Sequence, residues 1–370
     1  MEKGNSKLHF ADRWIGIVIV FILGFFKIKH RITIPFNPKR ISVLNISSIG
    51  DTVLMSAIIK DIKSAYPNSE IWIFTGKTNH AIAHHIPFVH KIVRVSIKNP
   101  LKAIRTLNGF GKFDLLLDMG PWPRLNSIYS FFINAKIKIG FNSEGQYRHY
   151  IYDYPILHSD KKHEIDNFRA LLEPLKIKAT HNPELLHLTN NLKAKFNIEK
   201  EYIVIHPWPG GYKSYMKEWA IEKWVDLMTK MDLLKYDIVI TGGKADIDKT
   251  LLLINACASK GIEIINMAGE LSISDTIELL SKSKYIISVN TGIMHIGAAL
   301  NKPLIGIHGP TSVLRWGPVS DKAISVAANS EFCGYLHLGF EYNKSKIDCM
   351  AIISVQDVFE AFKKIENKYN

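Results

Sequence analysis

The sequence predicts an α/β protein made of two Rossmann-like domains, each a parallel sheet with helices on both faces. Three observations carry this reading. From Ile41 onward, short β-branched or apolar runs alternate with longer segments of helical period. The runs form two series, separated by the polar stretch 180–200. Finally, 370 residues with 47% hydrophobic content can fill two cores of about 150 residues each.

In the first series the expected strands are residues 41–46, 70–75, 91–95, 113–118 and 137–140. Between the first two, Val53, Leu54, Ile58, Ile62 and Ala65 recur at helical spacing, and Tyr66-Pro67-Asn68 stops the helix. The second series has strands at 202–206, 236–241, 263–266, 285–289 and 304–307, with helices at 221–231, 246–259, 272–283 and 294–300. A last helical pattern covers 355–369. The expected organisation is therefore a segment 1–36, a domain 37–180, a linker 181–201, a domain 202–353 and a C-terminal helix 354–370.

The net charge of +13 is uneven: Lys3, Lys7, Arg13, Lys27, Lys29, Arg31, Lys39 and Arg40 crowd the first forty residues against Glu2 and Asp12. Residues 14–26 are uncharged and apolar, shorter than the roughly 20 residues that span a bilayer. No small-residue cleavage site follows them. An apolar helix beside Lys27, Lys29 and Arg31 suits a peripheral contact with an anionic membrane surface; the competing expectation is a helix packed on the protein's own core. The charge does not interleave with an aromatic platform, so no nucleic-acid partner is expected. Three scattered cysteines, Cys257, Cys333 and Cys349, suggest neither a disulfide framework nor a four-ligand zinc site, and are expected to be reduced, in a cytoplasmic setting.

The chemistry should sit where strands end. Ligands of open α/β sheets bind at the carboxyl ends of strands. The turn after the first strand reads Ser47-Ser48-Ile49-Gly50-Asp51-Thr52, in which Asp51 at a helix start is either a cap or a reactive carboxylate. In the second series the turns are His206-Pro207-Trp208-Pro209-Gly210-Gly211, then Thr241-Gly242-Gly243 with Asp246, then Asn290-Thr291-Gly292, then Gly309-Pro310-Thr311. Exposed N–H groups at the start of the helix after Thr291 suit a pyrophosphate. Lys217, in a loop above the strands, could neutralise a departing diphosphate. Asp246 and Asp248 lie just inside a helix start, where the dipole favours carboxylates, so they are not read as a metal site.

These motifs in this order, with Lys217-Glu218-Trp219 and Met294-His295 included, resemble glycosyltransferase family 9, the family of the lipopolysaccharide heptosyltransferases. The resemblance runs from about Ile41 to about Glu360. It implies a GT-B fold with a deep interdomain cleft and inverting, metal-independent transfer from a nucleotide sugar, ADP-heptose in the heptosyltransferase branch, with no cofactor. The implied acceptor is a lipid-linked saccharide at the inner face of the cytoplasmic membrane.

The resemblance also implies residue roles. Asp51 would be the base and Lys217 the phosphate contact. Gly50, His206, Pro207, Thr241, Gly242, Gly243, Asp246, Leu271, Asn290, Thr291, Gly292, Met294 and His295 would line the donor, and Ser47 and Ser48 the acceptor side. Two positions depart from the family pattern: Asn290 stands where Asp is usual, and Asn45 where many relatives are basic. Two other readings compete: a GT-B epimerase or phosphorylase, which would need an additional acid and base pair, and a catalytically silent nucleotide-binding scaffold at the membrane.

Overall fold

A computed structural model describes residues 6–33, 36–187, 198, 200–231, 235–339, 341–342 and 347–369. Much of the expected linker, 188–197 and 199, lies outside the described residues. The chain divides into two compact units, Met1–Glu184 and Leu185–Asn370.

In the first unit the strands are β1 (Arg40–Asn45), β2 (Glu70–Thr75), β3 (Lys91–Arg94), β4 (Phe113–Asp118), β5 (Ala135–Asn142) and β6 (Tyr154–Leu157). All pair parallel, in the order β3-β2-β1-β4-β5-β6. The second unit holds β7 (Tyr202–His206), β8 (Asp237–Ile240), β9 (Ile264–Asn266), β10 (Tyr285–Val289), β11 (Leu304–His308) and β12 (Ala323–Ala327). Its parallel order, β9-β8-β7-β10-β11-β12, repeats the first. Each sheet reverses direction of winding between its first and fourth strands, β1 and β4 in one and β7 and β10 in the other. A crevice forms at such a switch point, above the carboxyl ends of the strands.

Ten strands follow the apolar runs because a parallel strand is covered on both faces and becomes almost wholly apolar. Every residue of β7, β10 and β11 is buried. β6 and β12 were not expected. Each is an edge strand of its sheet, as β3 and β9 are, partly exposed along its length, and β6 carries Pro155, which an edge position tolerates. The C-terminal helix Val355–Tyr369 is built into the second unit's core, with Val358, Phe362 and Ile365 buried against residues such as Tyr285.

The N-terminal helix Ser6–Phe25 packs on the first unit by one face. Val20 is fully buried with Ile151 and Tyr152, and Gly24 lies so close to Tyr150 that a Cβ would come within 2.6 Å of its Cβ. Asp12 accepts from the N–H groups of Arg124 (3.2 Å) and Leu125 (3.0 Å), capping the helix Arg124–Phe132. Lys27 pairs with the buried carboxylate of Asp153 at 2.7 Å. The other face carries Phe10, Trp14, Val18, Ile22 and Phe25 to solvent, Phe25 with 87% of its surface exposed. Among the described residues no helix is long and apolar enough to cross a membrane.

Cys333 and Cys349 form a disulfide, which corrects the expectation of three reduced thiols. The fold brings two residues 16 apart in sequence to a Cα separation of 5.7 Å, a proximity that their spacing does not reveal. Cys257 stays free and buried.

Candidate active site

The first unit's turn follows β1, which ends beside β4 at the switch point. Ser48 caps the helix Ile49–Ala65 and makes a reciprocal box with Asp51. Its Oγ accepts from the Asp51 N–H at 3.3 Å, while its own N–H and hydroxyl donate to Asp51 Oδ2 at 3.3 and 2.8 Å. Asp51 is only partly buried, and among the described residues no group is bonded to its Oδ1. One oxygen is held; the other is available.

Under this turn lies a buried polar knot. Asn79 donates from Nδ2 to the Asn45 carbonyl (2.8 Å) and the Thr52 hydroxyl (2.9 Å), and its Oδ1 accepts from the Gly76 N–H (2.9 Å). Thr52 in turn donates to the Ser48 carbonyl at 2.8 Å, and Ser47 donates to Asn45 Oδ1. Asn45, Thr52 and Asn79 are fully buried, so each polar atom left unpaired would cost about 1–3 kcal/mol. The knot therefore ties the ends of β1 and β2 to the helix that carries Asp51. It also explains Asn45: its amide is spent inside the protein. Beside it, buried Asp118 at the end of β4 accepts from Arg148 (2.9 Å), Ser130 (2.9 Å), the Gly120 N–H (2.9 Å) and Tyr152. Arg148 and Tyr152 lie some thirty residues downstream with no motif of their own, and sequence reasoning missed them.

In the second unit the turns after β8, β7 and β10 sit side by side, because those three strands are neighbours. His206 Nδ1 lies 2.9 Å from the Thr241 hydroxyl, and burial pushes the imidazole down to about 4, so it is neutral near pH 7. Gly242 has no room for a side chain: a Cβ would meet Trp208 at 3.0 Å and Asp246 at 3.1 Å. Asp246 Oδ2 accepts from the Gly243 N–H at 2.8 Å, so this carboxylate serves its own turn. Among the described residues no group of three His, Cys, Asp or Glu side chains is placed to hold a metal ion.

After β10, Thr291 caps the helix Gly292–Ala299, its hydroxyl accepting from the Ile293 N–H at 3.2 Å. Asn290 precedes it, and its Nδ2 lies 3.1 Å from His308 Nδ1 and 2.9 Å from the Trp316 carbonyl. His308 and Trp316 carry no motif and were not anticipated. Met294 and His295 are buried in the helix, and Met294 faces the sheet at Gly306, where an added Cβ would approach its sulfur to 2.7 Å. Leu271 is partly buried just before the capped helix Ile273–Lys282. Lys217 is half-buried in the loop after β7, its Nζ donating to the Gly210 carbonyl at 3.2 Å. Thus His206, Pro207, Thr241, Gly242, Gly243, Asp246, Asn290, Thr291 and Gly292 gather at adjacent strand ends. Gly50 belongs to the first unit, beside Ser47, Ser48 and Asp51.

Two six-stranded parallel sheets of this order, each with a polar turn and a helix start at its switch point, are the architecture of the GT-B fold. Residues 102–334, more than half of the chain, match the model of glycosyltransferase family 9 (heptosyltransferase), and the chain belongs to that family. It is 23% identical over 308 residues to lipooligosaccharide heptosyltransferase 2 of Haemophilus influenzae, covering 76% of this chain and 87% of that one. The crystal structure of a family 9 glycosyl transferase from Veillonella parvula superposes with a TM-score of 0.75 at 19% identity, over 90% of this chain and 98% of that one. E. coli ADP-heptose LPS heptosyltransferase II gives 0.72 at 18% identity, over 89% and 99%. At these identities the structural likeness is one of fold.

Proposed function

We propose that this chain moves a heptose from ADP-heptose to a growing lipid-linked lipopolysaccharide core saccharide, by inverting displacement that requires neither a metal ion nor a cofactor. The names of its relatives support the donor and the class of acceptor. The observation that carries the chemistry is the division of labour at Asp51: Oδ2 is fixed in the cap, and Oδ1 is left to take a proton. An acceptor hydroxyl attacks the anomeric carbon, the carbon–oxygen bond to the diphosphate breaks, and the hydroxyl proton passes to Asp51. ADP leaves with the electron pair, its charge met by Lys217 and the N–H groups at the start of the Gly292–Ala299 helix. Thr241, Gly242 and Gly243 give the nucleotide close access to backbone. Incubation with ADP-heptose and a heptose-deficient core lipid, in the presence of EDTA, should release ADP and yield a product of inverted anomeric configuration. Retained configuration, or loss of turnover in EDTA, would overturn this mechanism.

The reading places the reaction at the inner, anionic face of the cytoplasmic membrane. It is supported by the stripe Phe10, Trp14, Val18, Ile22 and Phe25 beside Lys29 and Arg31, because an exposed apolar helix face with adjacent cations is what an anionic lipid surface attracts. The helix's opposite face is already used on the first unit. Replacing Trp14, Val18 and Ile22 together by Glu should abolish cosedimentation with vesicles of phosphatidylcholine and phosphatidylglycerol. Equal binding by parent and variant would remove the membrane from the reading.

A further inference from the structure

The side chain at position 290 is oriented by its neighbours. The Trp316 main-chain oxygen can only accept, so the Asn290 atom 2.9 Å away must be the amide nitrogen. The second hydrogen of that nitrogen points to His308 Nδ1 at 3.1 Å, which must therefore be the lone-pair side of the ring. His308 is fully buried and neutral, with its proton on Nε2, and Gly306 leaves the space that this edge of the ring occupies beside Met294. Trp316 is itself held, its Nε1 donating to the His337 carbonyl at 2.9 Å. Both amide hydrogens of Asn290 are thus spent inward. Its Oδ1 has no bonded partner among the described residues, and the residue is partly exposed, one position before the Thr291 cap of the helix whose start the proposed function gives to the diphosphate.

We infer that His308 and the Trp316 carbonyl lock Asn290 so that the sugar of the donor meets a neutral hydrogen-bond acceptor, which selects a donor carrying a hydroxyl or N–H at that point. This rests on the reading of the second unit as the nucleotide-sugar unit. Asp is not equivalent here. A carboxylate would set an oxygen against the Trp316 carbonyl and would add negative charge beside the diphosphate. His308 is a positioning residue, acting only through Asn290.

The test compares the affinities of ADP and ADP-heptose for the full chain by calorimetry, in the parent, Asn290→Ala, Asn290→Asp, His308→Gln and the double variant Asn290→Ala/His308→Gln. The ratio of the two dissociation constants isolates the sugar contact. Asn290→Ala and Asn290→Asp should cut the advantage of ADP-heptose over ADP by roughly fivefold to tenfold, about the size of one lost hydrogen bond, while ADP affinity in Asn290→Ala stays within twofold. His308→Gln should act in the same direction and add nothing on the Asn290→Ala background. If the ratio is unchanged in Asn290→Ala while ADP still binds, the inference is wrong and the nucleotide-sugar reading stands. Independent, multiplying effects of the two substitutions would overturn the role of His308. Failure of the parent to bind ADP would overturn the underlying reading and this inference with it. Should His308→Gln not fold, Asn290→Ala and Asn290→Asp, altered at a partly exposed position, still decide the matter.

Discussion

The turn after β1 and the turn after β10 both lie at the switch points of sheets of the same order, one after the first strand of its unit and the other after the fourth, and they divide their duties differently. In the first, one residue is given two jobs: Asp51 completes the cap with Oδ2, and the proposed function gives the proton to its Oδ1, which has no bonded partner among the described residues. In the second the jobs are split, with Thr291 capping and Asn290 held inward by His308 and Trp316. A carboxylate has lone pairs to share between cap and ligand, whereas the Asn290 amide has used both hydrogens and can only accept. Removing the Asp51 side chain should therefore mix stability with chemistry, whereas an isosteric amide there, or a substitution in the second turn, should separate them.

The largest expected effect tests that double duty. Asp51→Asn keeps an oxygen that can accept from Ser48 but removes the proposed base, so transfer should fall by roughly 10²–10⁴-fold with little change in melting temperature. Unchanged turnover would leave Asp51 as a cap alone. Next, Lys217→Ala should lower kcat/KM for the donor by on the order of 10²-fold, read from donor saturation curves. Equal values in variant and parent would mean that Lys217 only steadies its loop through the Gly210 carbonyl.

A third prediction contrasts two sets of turns in acid. His206 and His308, at the turns after β7 and β11, are pushed by burial from 6.5 to about 4. The unfolded chain therefore binds protons before the folded one does, and stability rises with pH through this range. The stabilisation is fully present above 6.5 and is lost as pH falls toward 4, on the order of 3 kcal/mol for each histidine. The knot under the β1 turn is made of amides and hydroxyls, which do not titrate there. Hydrogen exchange at pH 5 and pH 7 should show the β7, β10 and β11 turns loosening well before the β1 turn; simultaneous loosening would contradict the assignment. The smallest effect is the caps themselves. Ser48→Ala and Thr291→Ala should each cost about 1 kcal/mol in denaturant unfolding. A null result at Ser48 would show that Asp51 is held by something other than the box.

Much of this was legible beforehand. Strands such as 113–118, 202–206 and 285–289 were expected with the boundaries they have, because a strand covered on both faces writes an unbroken apolar run into the chain. The polar turns were legible because glycine, hydroxyl and carboxylate residues cluster where helices start. The edge strands β6 and β12 were not, since Pro155 breaks the short run of β6 and β12 sets small residues around Ile324 and Val326 at mostly half-exposed positions. Nor were the partners that orient the site: Asn79 under Asp51, Arg148 and Tyr152 on Asp118, His308 and Trp316 on Asn290.

The sequence by itself determined the α/β class, the places where strands end, and the family to which those turns belong. Local hydropathy and helix-start chemistry depend on neighbours in the chain, so they survive without the fold. The tertiary structure alone decided that Asn79 ties the end of β1 to the helix that carries Asp51, which way the Asn290 amide points, and that Cys333 meets Cys349. Those are pairings between residues far apart in sequence or on different strands. Their geometry exists only once the sheets have formed.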